Sequence, residues 1–277
     1  MRPLDRVTVL SLALNVPGPV ATARLHALGA AVTKVEPPDG DPLARSSREW
    51  YDELAAGQQV LRLDLKEPSA RSELDQLLEE ADLLLTAQRP AALARLGLVW
   101  DDLHGRFPQL CWVAIVGNPA PRQDRAGHDL TYVAKRGLLA PPEVPRTMIA
   151  DLGGAERAVS ASLTALLARE RRGEASYVEV ALSDAAELFA EPLRRGLTAP
   201  GGPLGGGLAV YGLYETGDGW IAVAALEPSF RRRLAEELEL SEPTRPALER
   251  AFRGRTAAEW EAWALERDLP IEALHDP

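Results

Sequence analysis

The sequence predicts an α/β protein: a Rossmann-like parallel sheet with crossover helices, then a smaller α+β domain beyond a Gly/Pro-rich linker. Three observations predict it. Short apolar or β-branched runs alternate with helix-period segments through the first part of the chain, the mark of a parallel sheet. A glycine- and proline-rich stretch, GLTAPGGPLGGGL, then breaks the pattern. Beyond it, AVYGLYET and GWIAVAAL flank Gly217-Asp218-Gly219, a strong hairpin signal. The expected division is a large domain over 1–195, a linker over 196–208 and a small domain over 209–277.

The elements follow in order. RVTVLSL reads as the first strand and PVATARLHALGA as a helix ending at Gly29. AVTKVEPP is a second strand, stopped by Pro37-Pro38. VLRLDL, DLLLT and LCWVAIV are further strands, with PSARSELDQLLEEA as a helix between the first two. A long helix is expected from Leu152 to Arg172, closed by Gly173, then a strand YVEVAL and a helix capped at Ser183 or Asp184. Two or three helices finish the chain. Ligands of such sheets gather at the carboxyl ends of strands, so the turn LNVPGPV after the first strand is a candidate ligand loop.

Composition narrows the function. The 277 residues carry 41 acids against 31 bases, a net charge of −10. A nucleic-acid partner needs a basic face and is not expected. The one cysteine, Cys111, lies inside an apolar run and reads as a buried strand residue, so no intrachain disulfide and no cysteine-based metal site can form. The N-terminal apolar run resembles a weak leader, but Asp5 and Arg6 precede it and Pro17 and Pro19 cut it short. It reads as a strand, the expected compartment is the cytoplasm, and no run approaches membrane-spanning length.

Taken alone, the polar residues of interest have ordinary readings. His128, in RAGHDLTY, suits the start of a helix. Asp151 suits an N-cap, and Glu227-Pro228 suits a first helical turn. Their context changes this. LSLALNVPGPVATARLHALGAAVTKVEPPDGDP, LDLKEP, QRPAALARLGL, DRAGHDLTY, ADLGGAERAVSASLTALLARERRG and YVEVALSDAA occur in that order. Together they resemble the class III CoA-transferase and α-methylacyl-CoA racemase superfamily, the CaiB/BaiF-like proteins. YETGDGWIAVAALEPSF resembles the small-domain hairpin of the racemases in particular.

The resemblance implies a coenzyme A thioester as substrate, no prosthetic group and no metal, and a homodimer, usually of interlocked subunits. It matches His128 and Asp151 to the acid/base pair of the racemase branch and Glu227 to a carboxylate that hydrogen-bonds the histidine. Lys34 and Arg89 match phosphate-binding positions, and Asp129 matches one near the pantetheine arm. The helix start at Asp151 could also stabilise an enolate oxygen. The transferase branch instead uses the aspartate as a nucleophile.

The chain also departs from the pattern. Gln58 and Gln59 stand where two bases are usual, and Arg62 compensates only if it faces the same groove. The loop from Ala134 to Ile149 is short, and the chain ends at Pro277, before the usual family length. These departures strengthen the reading of a degenerate homologue, but His128 and the LEPSF stretch together make α-proton exchange on a 2-methylacyl-CoA the favoured expectation. CoA transfer through Asp151 and a degenerate, non-catalytic homologue are the alternatives.

Overall fold

Leu83, Leu84 and Leu85 are all fully buried in the computed structural model, which describes residues 2–275. Consecutive strand side chains point to opposite faces, so a run buried at every position has both faces covered. Leu83 and Leu85 join one apolar cluster with Val9, Val113 and Ile115. Leu84 joins another with Leu10, Trp112 and Ala114. The sheet between these clusters has six strands: β1 (Thr8–Ser11), β2 (Ala31–Glu36), β3 (Gln59–Arg62), β4 (Leu83–Thr86), β5 (Cys111–Val116) and β6 (Tyr177–Ala181).

The strands lie in the order β3-β2-β1-β4-β5-β6, and every pairing is parallel. Leu10 of β1 pairs with Thr33 of β2 on one side and Leu84 of β4 on the other. The order reverses between β1 and β4. This is the Rossmann-like sheet the sequence predicts, and the reversal opens a crevice at the strands' carboxyl ends. Helices α1 (Pro17–Ala27) and α8 (Ile149–Arg172) bury Leu25, Ala155 and Leu166 on one face. On the other, α4 (Pro68–Glu80), α5 (Pro90–Arg95) and α6 (Trp100–Arg106) bury Leu74, Leu93 and Leu103. Cys111 is fully buried in β5, as its apolar neighbours predict.

Several elements are not legible as apolar runs. α2 (Pro42–Ser46) and α3 (Arg48–Ala55) fill the β2–β3 connection. Each is short and mostly polar, and only Leu43 and Tyr51 are buried. α7 (Asp129–Lys135) follows the loop after β5. α8 begins three residues earlier than the sequence predicts, at Ile149. α9 (Leu182–Arg194) follows β6 directly, with Ser183 and Asp184 inside the helix rather than capping it.

The chain divides into two units, Met1–Ala190 and Glu191–Pro277. In the second, β7 (Tyr211–Glu215) and β8 (Trp220–Ala224) form the antiparallel hairpin expected around Gly217-Asp218-Gly219. Helices α10 (Pro228–Glu237), α11 (Arg245–Phe252) and α12 (Ala257–Leu265) follow. A third strand, β9 (Ile271–Ala273), pairs with β8 and was too short to read in advance. Tyr214, Phe252, Trp260 and Trp263 form this unit's aromatic core. The Gly/Pro-rich stretch is wound rather than extended: Leu204 N–H donates to Leu197 O at 2.8 Å and Gly207 N–H to Gly202 O at 2.8 Å. Among the described residues, no helix is long and apolar enough to cross a membrane.

Candidate active site

The crevice begins at the turn after β1. A Cβ on Gly18 would stand 2.5 Å from the carbonyl carbon of Ala13, so only glycine lets α1 start this close to the strand end. The turn passes through Asn15, whose φ is +63°. Asparagine tolerates the left-handed region better than most residues, though at some cost. The conformation is held from outside the turn: Asn15 N–H donates to Asp41 Oδ1 at 3.0 Å.

Asp41 belongs to a closed ionic cluster at the end of β2. Lys34 Nζ lies 2.6 Å from Asp41 Oδ2 and 2.9 Å from Glu36 Oε1. The three residues are at most 2% exposed. Tyr51 donates its hydroxyl to Glu36 Oε1 at 2.5 Å, and the Lys34 ammonium sits 4.7 Å from the centre of the Tyr51 ring. Burial pushes the Glu36 carboxyl up, but the hydrogen bonds of Tyr51 and Lys34 outweigh it and hold the group below its ordinary range. The resemblance expects Lys34 to bind a phosphate; in this structure its ammonium is turned into the cluster. Its charge is enclosed and already shared by two carboxylates.

His128 and Asp151 come from different helices and line one cleft. His128 is the N-cap of α7, with its backbone N–H donating to Thr131 Oγ1 at 3.1 Å. Asp151 is not an N-cap, as its sequence neighbours suggested; Met148 holds that place and Asp151 is the third residue of α8. The cap of α8 arrives from elsewhere. Asp129 Oδ1 accepts from Ala150 N–H at 2.7 Å and from Asp151 N–H at 3.0 Å. Both N–H groups, which the sequence reading offered to an enolate oxygen, are engaged in this structure.

Burial, and then the nearby charge of Asp129, push the Asp151 carboxyl up to about 6. No cation and no hydrogen-bond donor offsets this among the described residues. Tyr132 lies beside it. Its ring packs so close to Gly117 that a Cβ there would stand 2.2 Å from the phenol oxygen. Burial and the Asp151 charge raise the Tyr132 phenol, which stays protonated.

The cleft has two lobes. One is lined by Gln88, Arg89, Gln123 and Arg125, and the other by Val16, Leu130, Val144, Pro145 and Met148. Asn15, His128 and Asp151 line both. Arg89 thus stands where the sequence predicts a base. Arg125 also lines this lobe, and its signal in the sequence is the pair of arginines in RQDRAGHD. Nearby, the charge of Arg122, then burial, then the charges of Arg136 and Arg125 lower the Lys135 ammonium below its ordinary value. Arg62 is not in either lobe. It is exposed at the end of the edge strand β3, and a Cβ on Gly40 would stand 3.2 Å from its Nη2. Asp129 lines only the apolar lobe. Glu227 is the exposed N-cap of α10 and belongs to the second unit.

A strand-order reversal with an acid/base pair beside it occurs in many enzymes, so the comparison with known proteins decides the family. The model of CoA-transferase family III matches residues 4–277. The chain belongs to that family. A succinyl-CoA–D-citramalate CoA-transferase of Chloroflexus aurantiacus is 30% identical, over 95% of this chain and 73% of its own length. A mouse α-methylacyl-CoA racemase is 29% identical, over 93% of this chain and 74% of its own length. A probable fatty acyl-CoA transferase of Mycobacterium tuberculosis is 33% identical, over 67% of this chain and 52% of its own length. The crystal structure of a hypothetical protein from Mycobacterium tuberculosis superposes with a TM-score of 0.87 at 27% identity, covering 100% of this chain and 84% of that one. Both transferases and a racemase are thus similar to this family III chain.

Proposed function

We propose that this family III protein exchanges the α-proton of a 2-methylacyl-CoA thioester by two-base chemistry. The observation that carries the reading is the shared position of His128 and Asp151 in both lobes of one cleft, with the Asp151 carboxyl near 6. Acid/base groups work best when they titrate near the operating pH. Neutral His128 takes the α-proton from one face, and the electron pair moves onto the thioester oxygen as an enolate. Protonated Asp151 returns a proton to the other face, and the roles reverse for the opposite enantiomer. Tyr132 and the enclosing walls keep the carboxyl desolvated. The polar lobe, with Arg89 and Arg125, suits the coenzyme A phosphates, since guanidinium pairs with phosphate oxygens through paired N–H donors. The apolar lobe suits the acyl group.

A second reading is favoured by the relatives themselves, several of which are named CoA-transferases. There Asp151 attacks the thioester carbonyl, forms an acyl anhydride and releases the CoA thiolate. One experiment separates the readings. The protein is incubated with a 2-methylacyl-CoA in deuterated water, and deuterium uptake and chirality are followed. Proton exchange is expected, with His128→Ala and Asp151→Asn each slowing opposite enantiomers more severely. Exchange indifferent to His128→Ala, with CoA transfer abolished by Asp151→Asn, overturns it in favour of the transferase reading. No exchange and no transfer leaves a non-catalytic homologue.

A further inference from the structure

We infer that the carboxamide of Asn15 is a third member of the reacting group, donating a hydrogen bond to the thioester carbonyl oxygen. The inference rests on the acyl-CoA reading of the cleft. Either chemistry there pushes negative charge onto that oxygen, as an enolate in proton exchange or as a tetrahedral oxyanion in acyl transfer, and a fixed donor is needed to hold it.

Two backbone donors at the start of α8 are engaged. The N–H groups of Ala150 and Asp151 at the start of α8 bond to Asp129 Oδ1 at 2.7 and 3.0 Å. Asp129 and Asp151 supply acceptors rather than donors when ionised. Asn15 lines both lobes together with His128 and Asp151, and its side chain is exposed to the cleft. Of those three residues it alone carries a neutral amide, whose NH₂ offers donors at every pH. Its backbone is held at φ +63°. Backbone strain concentrates where geometry serves a function, provided the surroundings enforce it. Here the surroundings do: Asn15 N–H bonds to Asp41, and Asp41 is locked by the enclosed Lys34. The buried cluster at the end of β2 thereby acts on the reacting centre through one backbone hydrogen bond. Lys34 and Asp41 are positioning residues in this sense.

Asparagine is also a common residue at such a φ for purely local reasons, and the test must separate the two. Glycine adopts a positive φ without cost and keeps the backbone N–H, but has no carboxamide. Asn15→Gly is expected to fold and to bind coenzyme A with unchanged affinity by titration calorimetry. Its kcat for deuterium exchange, or for CoA transfer if that is the wild-type activity, falls about a hundredfold or more, the loss typical of one removed oxyanion donor. Asn15→Asp tolerates the same backbone, and its carboxylate repels the developing charge, so it falls at least as far. Full kcat in Asn15→Gly beside an active wild type overturns the assignment and makes Asn15 a turn residue only. A wild type inactive in both reactions overturns the acyl-CoA reading, and this inference with it. Weaker coenzyme A binding with unchanged kcat in Asn15→Gly also overturns it, by assigning the residue to substrate affinity.

Discussion

Two charged regions at the same edge of the sheet have opposite organisation. At the end of β2, Lys34, Glu36, Asp41 and Tyr51 form a closed set in which every buried charge has a partner within 3 Å. Near the end of β5, Asp151 of α8 is partly buried beside the like charge of Asp129, with no offsetting cation among the described residues. The first region spends its charge on shape: Asp41 caps α2 through Leu43 N–H at 2.9 Å and holds the Asn15 turn. The second keeps an uncompensated proton-binding group next to an exposed histidine. A satisfied charge builds the frame, and an unsatisfied one is available for chemistry.

The comparison breaks most visibly at Lys34. Removing one partner of a buried pair leaves the others charged and desolvated, at a cost of roughly 3–5 kcal/mol. Lys34→Met strands both Glu36 and Asp41, so chemical denaturation should show a loss of that size. Coenzyme A affinity measured where the variant is still folded should change little. The opposite result, weak binding with unimpaired stability, would return Lys34 to the phosphate-binding role that its sequence context suggests.

This is also where sequence legibility ends. The strands were readable because their burial on both faces leaves unbroken apolar runs such as Leu83–Leu85. The hairpin was readable because Gly-Asp-Gly demands a turn. His128, Asp151 and Arg89 were found by motif order, and they meet in one cleft. The enclosure of Lys34 was not legible, because a lysine at a strand end is indistinguishable, in sequence, from one that faces solvent; only the return of Asp41 over it encloses the charge. The capping role of Asp129 was hidden for a related reason. It sits in the first turn of α7 but caps α8, a partner 21 residues away that no local pattern specifies. Asn15 was legible only as part of the candidate ligand loop LNVPGPV, because the role proposed for it depends on a backbone angle and on two donors engaged elsewhere.

Asp151 tests the other half of the comparison, with the opposite sign. An aspartate in an unfolded chain titrates near 3.8, while in the folded protein this one titrates near 6. Between those values the native state holds the proton more tightly than the unfolded state. Stability from this group is therefore full below about pH 4 and declines as pH rises through about 6, by up to roughly 3 kcal/mol. Asp151→Asn removes the ionisation. Above pH 6 it should raise the Tm by a few degrees while slowing α-proton exchange, and the pH slope between 4 and 6 should flatten. A variant that is less stable than wild type at pH 7 would mean that the carboxylate has a stabilising partner, and that it is not poised for proton transfer.

The smallest expected effect concerns the rim. Arg89 and Arg125 are exposed, unlike Lys34, and their attraction to a phosphate is screened by salt. Each should contribute modestly, about fivefold in coenzyme A affinity, which is the order expected for an exposed charge contact. Arg89→Ala and Arg125→Ala should each weaken binding by that factor at low ionic strength. The difference from wild type should shrink as salt rises from about 50 to about 500 mM, which shortens the Debye length from about 14 to about 4 Å. The paired variant should lose close to the product of the two factors if both arginines face separate phosphate oxygens, because independent contacts add in free energy. A combined loss no larger than either single loss would put both guanidiniums on one phosphate group. Binding insensitive to salt and to both substitutions would move the phosphates off this lobe, and with them the orientation that sends the acyl group toward Val144 and Met148.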